Sequence, residues 1–163
     1  ASQQEDGEEG PRIEISEEDI NGDGKGDIFH VSERGETGSV MIRREVDLNW
    51  DGMIDVRTWI DPNGQLIREE MDGDYDGWID WVDHYSQGQR TRSEIDTDFD
   101  HSLDLILYFE DGTKVIRRMR DSDGDHQMDR NETANCVEID ENADGIFELK
   151  TGTGCPSGGS ESG

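Results

Sequence analysis

Apolar residues are in short supply. Only 29% of the 163 residues are hydrophobic and 7% are aromatic. No apolar run approaches the roughly 18 residues that a membrane-spanning helix needs, so none is expected. A conventional core is excluded as well. A chain of this composition cannot bury enough apolar surface to offset its ordering entropy, unless something else supplies folding energy. Positive charge is equally scarce: 15 Lys and Arg stand against 42 Asp and Glu, for a net charge of −27. That balance excludes nucleic acid and membrane insertion among partners, since phosphates and anionic lipids are repelled. The two cysteines, Cys136 and Cys155, fit neither a metal knuckle nor a CxxC redox pair. The four histidines are scattered, with no nucleophile at a recognisable spacing. No catalytic constellation results, and the chain reads as a non-enzyme.

Aspartate is abundant, and it recurs at regular intervals. In Asp72-Gly73-Asp74-Tyr75-Asp76-Gly77-Trp78-Ile79-Asp80, acidic side chains occupy positions 1, 3, 5 and 9, and glycine occupies position 6. This is the spacing of a Ca²⁺ loop. Alternate side chains turn towards a hard cation, position 7 offers its backbone carbonyl, and glycine permits the sharp turn. Six copies start at Asp19, Asp47, Asp72, Asp96, Asp121 and Asp140. The expected ligands of the first are Asp19, Asn21, Asp23, Lys25 (carbonyl) and Asp27; of the second, Asp47, Asn49, Asp51, Met53 (carbonyl) and Asp55. The third uses Asp72, Asp74, Asp76, Trp78 (carbonyl) and Asp80, and the fourth Asp96, Asp98, Asp100, Ser102 (carbonyl) and Asp104. The fifth uses Asp121, Asp123, Asp125, Gln127 (carbonyl) and Asp129, and the sixth Asp140, Asn142, Asp144, Ile146 (carbonyl) and Glu148. Position 6 is His101 in the fourth copy and His126 in the fifth. Histidine tolerates positive φ better than most residues, so these loops still form, at some cost, and are expected to bind more weakly. Glu17, Glu45, Glu70, Glu94 and Glu138 each stand two residues before a loop and are further candidates for completing coordination.

The segments between loops read as β-hairpins. Each apolar run is short, alternates with period two, is rich in β-branched and aromatic residues, and is fenced by Asp and Gly. Val56–Ile60 and Gln65–Met71 flank a turn containing Asn63-Gly64. Trp81–Tyr85 and Gln89–Ile95 flank Ser86-Gln87-Gly88, and Leu105–Phe109 and Thr113–Met119 flank Glu110-Asp111-Gly112. The fold class is therefore all-β: an elongated antiparallel meander of repeated hairpins joined by Ca²⁺-binding loops. Each unit is too small to bury its own apolar face and relies on its neighbours. The step of only 19 residues between the last two loops predicts one strand there instead of a hairpin. Three regions follow: an acidic arm (1–11), the six-loop repeat domain (12–150) and a Gly/Ser-rich tail (151–163). The opening Ala1-Ser2-Gln3-Gln4 is read as a mature N-terminus.

The DxDxDGxxD loops resemble those of the thrombospondin type 3, dockerin and EF-hand-like calcium families, over roughly residues 17–150. The resemblance implies Ca²⁺ ligation by the matching residues and an extracellular setting. Two departures limit it: no helix follows the loops, and hairpins separate them. About six Ca²⁺ ions are expected. Cys136 and Cys155 bracket the sixth loop as either a disulfide or two thiols, and a disulfide would pin the tail to the last repeat. The functional expectation is an extracellular, calcium-stabilised structural protein that self-associates into a surface fibre. The alternative is a calcium-dependent adhesin or carbohydrate-binding module, with Trp50, Trp59 and Trp78 offering sugar-stacking rings.

Overall fold

Residues 12–155 are described by the computed structural model. The expected acidic arm (1–11) and residues 156–163 of the expected tail lie outside the described residues.

Short turns set the first level of organisation. Gln87 (φ 52°) and Gly88 (φ 75°) both take the left-handed region, as a type I′ reversal requires, and Asp111 (φ 53°) and Gly112 (φ 73°) do the same. In the turn around Asn63-Gly64, one oxygen of Asp61 accepts N–H bonds from Asn63 and Gln65. These turns join antiparallel strands. In chain order the strands are β1 (Arg12–Glu18), β2 (Ile28–Gly35), β3 (Gly38–Val46), β4 (Val56–Ile60), β5 (Leu66–Met71) and β6 (Trp81–Ser86). They continue as β7 (Gln89–Ile95), β8 (Leu105–Glu110), β9 (Lys114–Arg120), β10 (Arg130–Thr133), β11 (Cys136–Ile139) and β12 (Leu149–Thr151). All twelve form one sheet whose spatial order is the chain order. No helix occurs among the described residues. The expected meander of hairpins is what forms.

The sheet differs from expectation at one hairpin. Between the fifth and sixth loops the chain makes two strands, not one. β10 and β11 are four residues each and pair antiparallel across the two-residue turn Ala134-Asn135. Strands of four residues, against five to nine in the other hairpins, let a complete hairpin fit in the shorter step.

Each strand packs only on its sequence neighbours. With strands about 4.8 Å apart, twelve of them span about 53 Å. The core is correspondingly thin. Among the described residues, the buried apolar side chains are Val31, Val82, Ile95 and Cys136. Buried polar residues outnumber them, and most are loop aspartates.

The two faces have different chemistry. Next to the loops, one face carries the cross-strand row Ile28, Val46, Val56, Met71, Trp81, Ile95 and Leu105. This is the aliphatic face, and Asp83 lies on it too, 7% exposed. Asp83 accepts from Ser93 Oγ, Trp81 Nε1 (2.9 Å) and Tyr85 OH (3.3 Å). The opposite face carries the row Arg43, Trp59, Arg68, His84, Arg92, Tyr108 and Arg117, in which arginines alternate with rings across seven strands. Arg68 lies over the Trp59 ring at 5.7 Å and Arg117 over Tyr108 at 5.1 Å.

A repeated irregularity holds this register. The pairing shifts once in each of four hairpins, at Val31/Ser32, Trp59/Ile60, His84/Tyr85 and Tyr108/Phe109. Each shift leaves one extra residue on the return strand (Ile42, Ile67, Thr91 and Ile116), immediately before Arg43, Arg68, Arg92 and Arg117. The bulge therefore recurs at the same height and re-aims the same residue each time.

Cys136 and Cys155 form a disulfide. Beside it, Gly154 N–H donates to the Asn135 carbonyl at 3.0 Å, folding residues 152–155 back on the β10–β11 turn. Closing a loop with a sequence separation of 19 residues contributes about 3 kcal/mol. Changing both cysteines to serine should raise amide exchange in β10–β12 and leave β4–β7 protected. Hydrogen exchange resolved by residue checks this, and an equal loss of protection across the sheet would contradict it.

Candidate metal centre

All six loops emerge at one edge of the sheet, each leading from a return strand to the next outgoing strand. Their conformation is shared in detail. Position 4 has positive φ in every loop: Gly22, Trp50, Tyr75, Phe99, Gly124 and Ala143. Position 6 does so as well: Gly24, Gly52, Gly77, His101, His126 and Gly145. His101 (φ 74°) and His126 (φ 69°) thus take the turn that glycine takes elsewhere. The demand at position 4 was not read from the sequence. Its signal was the glycine at that position in the first and fifth copies.

Carboxylates and backbone amides build the loops together. In the third, Asp72 Oδ1 accepts from Tyr75 N–H at 2.7 Å and Asp72 Oδ2 from Gly77 N–H at 2.8 Å. Asp80 Oδ2 accepts from Gly73 N–H (2.6 Å) and Asp74 N–H (3.3 Å). The second loop repeats this, with Asp47 holding Trp50 and Gly52 and Asp55 holding Leu48 and Asn49. In the first, Asp19 holds Gly22 and Gly24, while Asp27 holds Ile20 and Asn21. Asp96 takes Phe99 and His101, Asp121 takes Gly124 and His126, and Asp140 takes Gly145. Position 5 accepts the N–H of position 7 in every copy, so Asp23, Asp51, Asp76, Asp100, Asp125 and Asp144 hold Lys25, Met53, Trp78, Ser102, Gln127 and Ile146. A carboxylate has about four lone-pair sites, so these bonds leave capacity for a cation.

Four loops bring three acidic groups together, with one oxygen from each within 4.8 Å of the others. These are Asp72, Asp74 and Asp80; Asp96, Asp98 and Asp104; Asp121, Asp123 and Asp129; and Asp140, Asp144 and Glu148. Such groups can hold a metal ion. Position 5 is left out of the trio in the third to fifth loops. Asp76 there turns to the next loop, where its Oδ2 meets His101 Nε2 at 2.6 Å. The first two loops form no such trio of acids among the described residues, and both have asparagine at position 3. In the second, however, Asp55 is only 1% exposed and its Oδ1 is buried without a hydrogen-bond partner. A buried carboxylate oxygen left bare is costly, and a cation would satisfy it.

The glutamates before the loops do not join these groups, contrary to expectation. They lie on the arginine face, where the pleat directs them away from the aliphatic row, and Glu45, Glu70, Glu94 and Glu138 pair with cations. Glu45 meets Arg43 at 3.0 Å, Glu70 meets Arg68 at 2.5 Å, Glu94 meets Arg92 and His84, and Glu138 meets Lys150 at 2.9 Å. The arginine four residues before the loop accompanies the glutamate two before it in three copies, and both face the same way.

Electrostatics reflects the crowding. Burial, then the neighbouring Asp76, raises the pKa of Asp74. Burial and Asp100 raise that of Asp98 in the same way. The Trp78 N–H and the His101 ring lower that of Asp76. The hydrogen bond that His101 donates to the Asp76 carboxylate raises that of His101. His101 also stacks on Trp78, with ring centroids 5.0 Å apart. The sign follows from linkage. A raised histidine pKa gives stabilisation that is full below the ordinary 6.5 and disappears as pH rises through the raised value. An NMR titration of His101 should show a midpoint above 6.5, falling back in Asp76→Asn. A midpoint unmoved by that substitution would contradict the contact.

Adjacent loops are also tied through the backbone. The position 1 N–H of each later loop donates to the position 9 carbonyl of the loop before it: Asp47 to Asp27, Asp72 to Asp55, Asp96 to Asp80, Asp121 to Asp104 and Asp140 to Asp129. The loop bases thus extend the sheet by one further rung.

No family model matches the sequence, and no curated protein matches it. One solved structure that shows some similarity is described as the crystal structure of accessory secretory protein 1,2 and 3 in Streptococcus pneumoniae. The identity is 17% and the TM-score 0.35, over 69% of this chain. The match spans 17% of the length of that protein's chain.

Proposed function

We propose that the chain is an extracellular structural repeat protein whose loops bind about six Ca²⁺ ions and which self-associates into a surface fibre. The observation that carries the metal reading is Asp55, whose Oδ1 is buried and unpartnered while its Oδ2 accepts the Leu48 and Asn49 N–H groups. Calcium suits the donors better than its competitors. They are oxygens, several per loop, on short side chains around one tight turn. Magnesium keeps more of its water and demands a stricter octahedron. Zinc would want sulfur or paired imidazoles, and no loop offers them. The disulfide and the Ca²⁺ requirement both suit an oxidising, calcium-rich setting outside the cell.

Calorimetric titration of chelator-treated protein tests the reading. About six Ca²⁺ should bind per chain, and Mg²⁺ at equal concentration should not displace them. The fourth and fifth loops, with histidine at position 6, should empty first. A stoichiometry of one or none would sink the proposal.

A second reading is a calcium-dependent carbohydrate-binding module. Trp50 and Trp78 support it, being 57% and 59% exposed at the loop edge. Trp59 is less available, because Arg68 covers its ring. A glycan array probed with and without chelator separates the two: calcium-dependent capture of defined sugars would favour the module.

A further inference from the structure

The repeat pattern leaves two unmatched ends that complement each other. Among the described residues, β12 is an outgoing strand with no return strand on its far side, and β1 is a return strand with no outgoing strand beside it. We propose that the β12 edge of one copy receives the β1 edge of a second copy of this chain, antiparallel, so that the meander runs on from molecule to molecule. This deepens the fibre reading and rests on it for the folded state of the loops.

Strand direction permits the junction. Strands alternate in direction along the sheet, so β12 and the β1 of a second copy would run antiparallel, as every other neighbouring pair does. Side-chain rows then set the register. One row across the arginine face reads Glu17, Phe29, Glu45, Arg57, Glu70, Val82, Glu94, continuing to Glu138 and Lys150. Glu45, Glu70, Glu94 and Glu138 each meet a cation. Glu17 meets none among the described residues, because the place of the arginine four before its loop is taken by Ile15. Carried past β12, the same row sets Lys150 opposite Glu17 of the second copy. Lys150 would then stand between Glu138 and Glu17, as Arg57 stands between Glu45 and Glu70.

The loop ladder points to the same junction. Its backbone rungs use the position 1 N–H of loops two to six and the position 9 carbonyl of loops one to five. Among the described residues, the Asp19 N–H and the Glu148 carbonyl are left over from this ladder, at opposite ends of the sheet. Asp19 is exposed, whereas Asp47, Asp72, Asp96, Asp121 and Asp140 are buried. In two of the five adjacent loop pairs the side chain at position 7 also reaches position 6 of the next loop: Met53 lies over Gly77, and Trp78 over His101. Ile146, 64% exposed, would find Gly24 of the second copy in that place, where a side chain meets nothing within 4 Å.

Sedimentation velocity over a concentration series, in about 1 mM Ca²⁺, tests the junction. The chain should form dimers and longer species as its concentration rises. Glu17→Lys and Lys150→Glu should each weaken association about tenfold or more, by placing like charges opposite one another. An equimolar mixture of the two variants should recover it, since each then meets the opposite charge at both edges. A folded wild-type chain that stays monomeric throughout would overturn the proposal, as would variants that associate like wild type or a mixture that fails to recover. Circular dichroism of the same samples keeps the two readings apart. A folded, calcium-dependent monomer overturns the junction alone, whereas a fold indifferent to chelator overturns the calcium reading.

Discussion

Chelating Ca²⁺ should remove most of the β-sheet signal in circular dichroism, and restoring Ca²⁺ should bring it back. Two magnitudes make this the largest expected effect. A ligand at about 100 times its dissociation constant stabilises a fold by about 2.7 kcal/mol per site, so six sites would supply roughly 16 kcal/mol. That matches or exceeds the whole net stability of an ordinary domain, about 5–15 kcal/mol. Little else is available to replace it. The buried apolar set is Val31, Val82, Ile95 and Cys136, and both faces of the sheet are open to water over most of their extent. Without cations, the acids of four loops crowd within a few ångströms, and burial, then the neighbouring Asp76 and Asp100, raises the pKa of Asp74 and of Asp98. A sheet that keeps its far-ultraviolet spectrum in excess chelator would show that the arginine–ring ladder and backbone bonds suffice.

Asp72→Ala should destabilise the folded chain by about 3–5 kcal/mol, among the largest effects expected of a single substitution. Asp72 is 2% exposed, and its carboxylate accepts the N–H groups of Tyr75, Asp76 and Gly77. Alanine strands all three, each at about 1–3 kcal/mol where water cannot reach it. It also removes a proposed metal ligand. Asp55→Asn separates these two losses. An amide oxygen can still take the N–H groups of Leu48 and Asn49, which Asp55 Oδ2 now holds. The amide nitrogen would replace the bare Oδ1 and repel a cation. Asp55→Asn should therefore delete one Ca²⁺ from the stoichiometry and cost little stability in chelator, whereas Asp72→Ala should cost stability in both conditions. Urea unfolding with and without Ca²⁺ measures both, and equal losses in Asp55→Asn under the two conditions would contradict a metal role for that oxygen.

The loops and hairpins were legible because their chemistry is local. Alternating aspartates, a glycine that must turn, and short β-branched runs each state their conformation within about nine residues. What escaped was set across strands. Arg43, Arg68, Arg92 and Arg117 line one row because a bulge precedes each of them. Register depends on pairing partners far along the chain, and no single segment records it. The glutamates before the loops were misplaced for the same reason. Their nearness in sequence suggested ligation, but the alternation of the pleat turns them to the sheet face. The β10–β11 hairpin was missed because a step of 19 residues was measured against hairpins with longer strands.

The neighbour-only packing of the strands has a mechanical meaning. A force that draws the two ends of the sheet apart would load the hairpins in series, each peeling from the next without waiting for a shared core to break. Extension would then be taken up one unit at a time, and each step would stop at a loop whose cross-links bind position 1 to the position 9 of its neighbour. In a filament so built, ions would act as removable stitches. Local calcium concentration would set how far the strand yields under load and whether it closes again when the load is released.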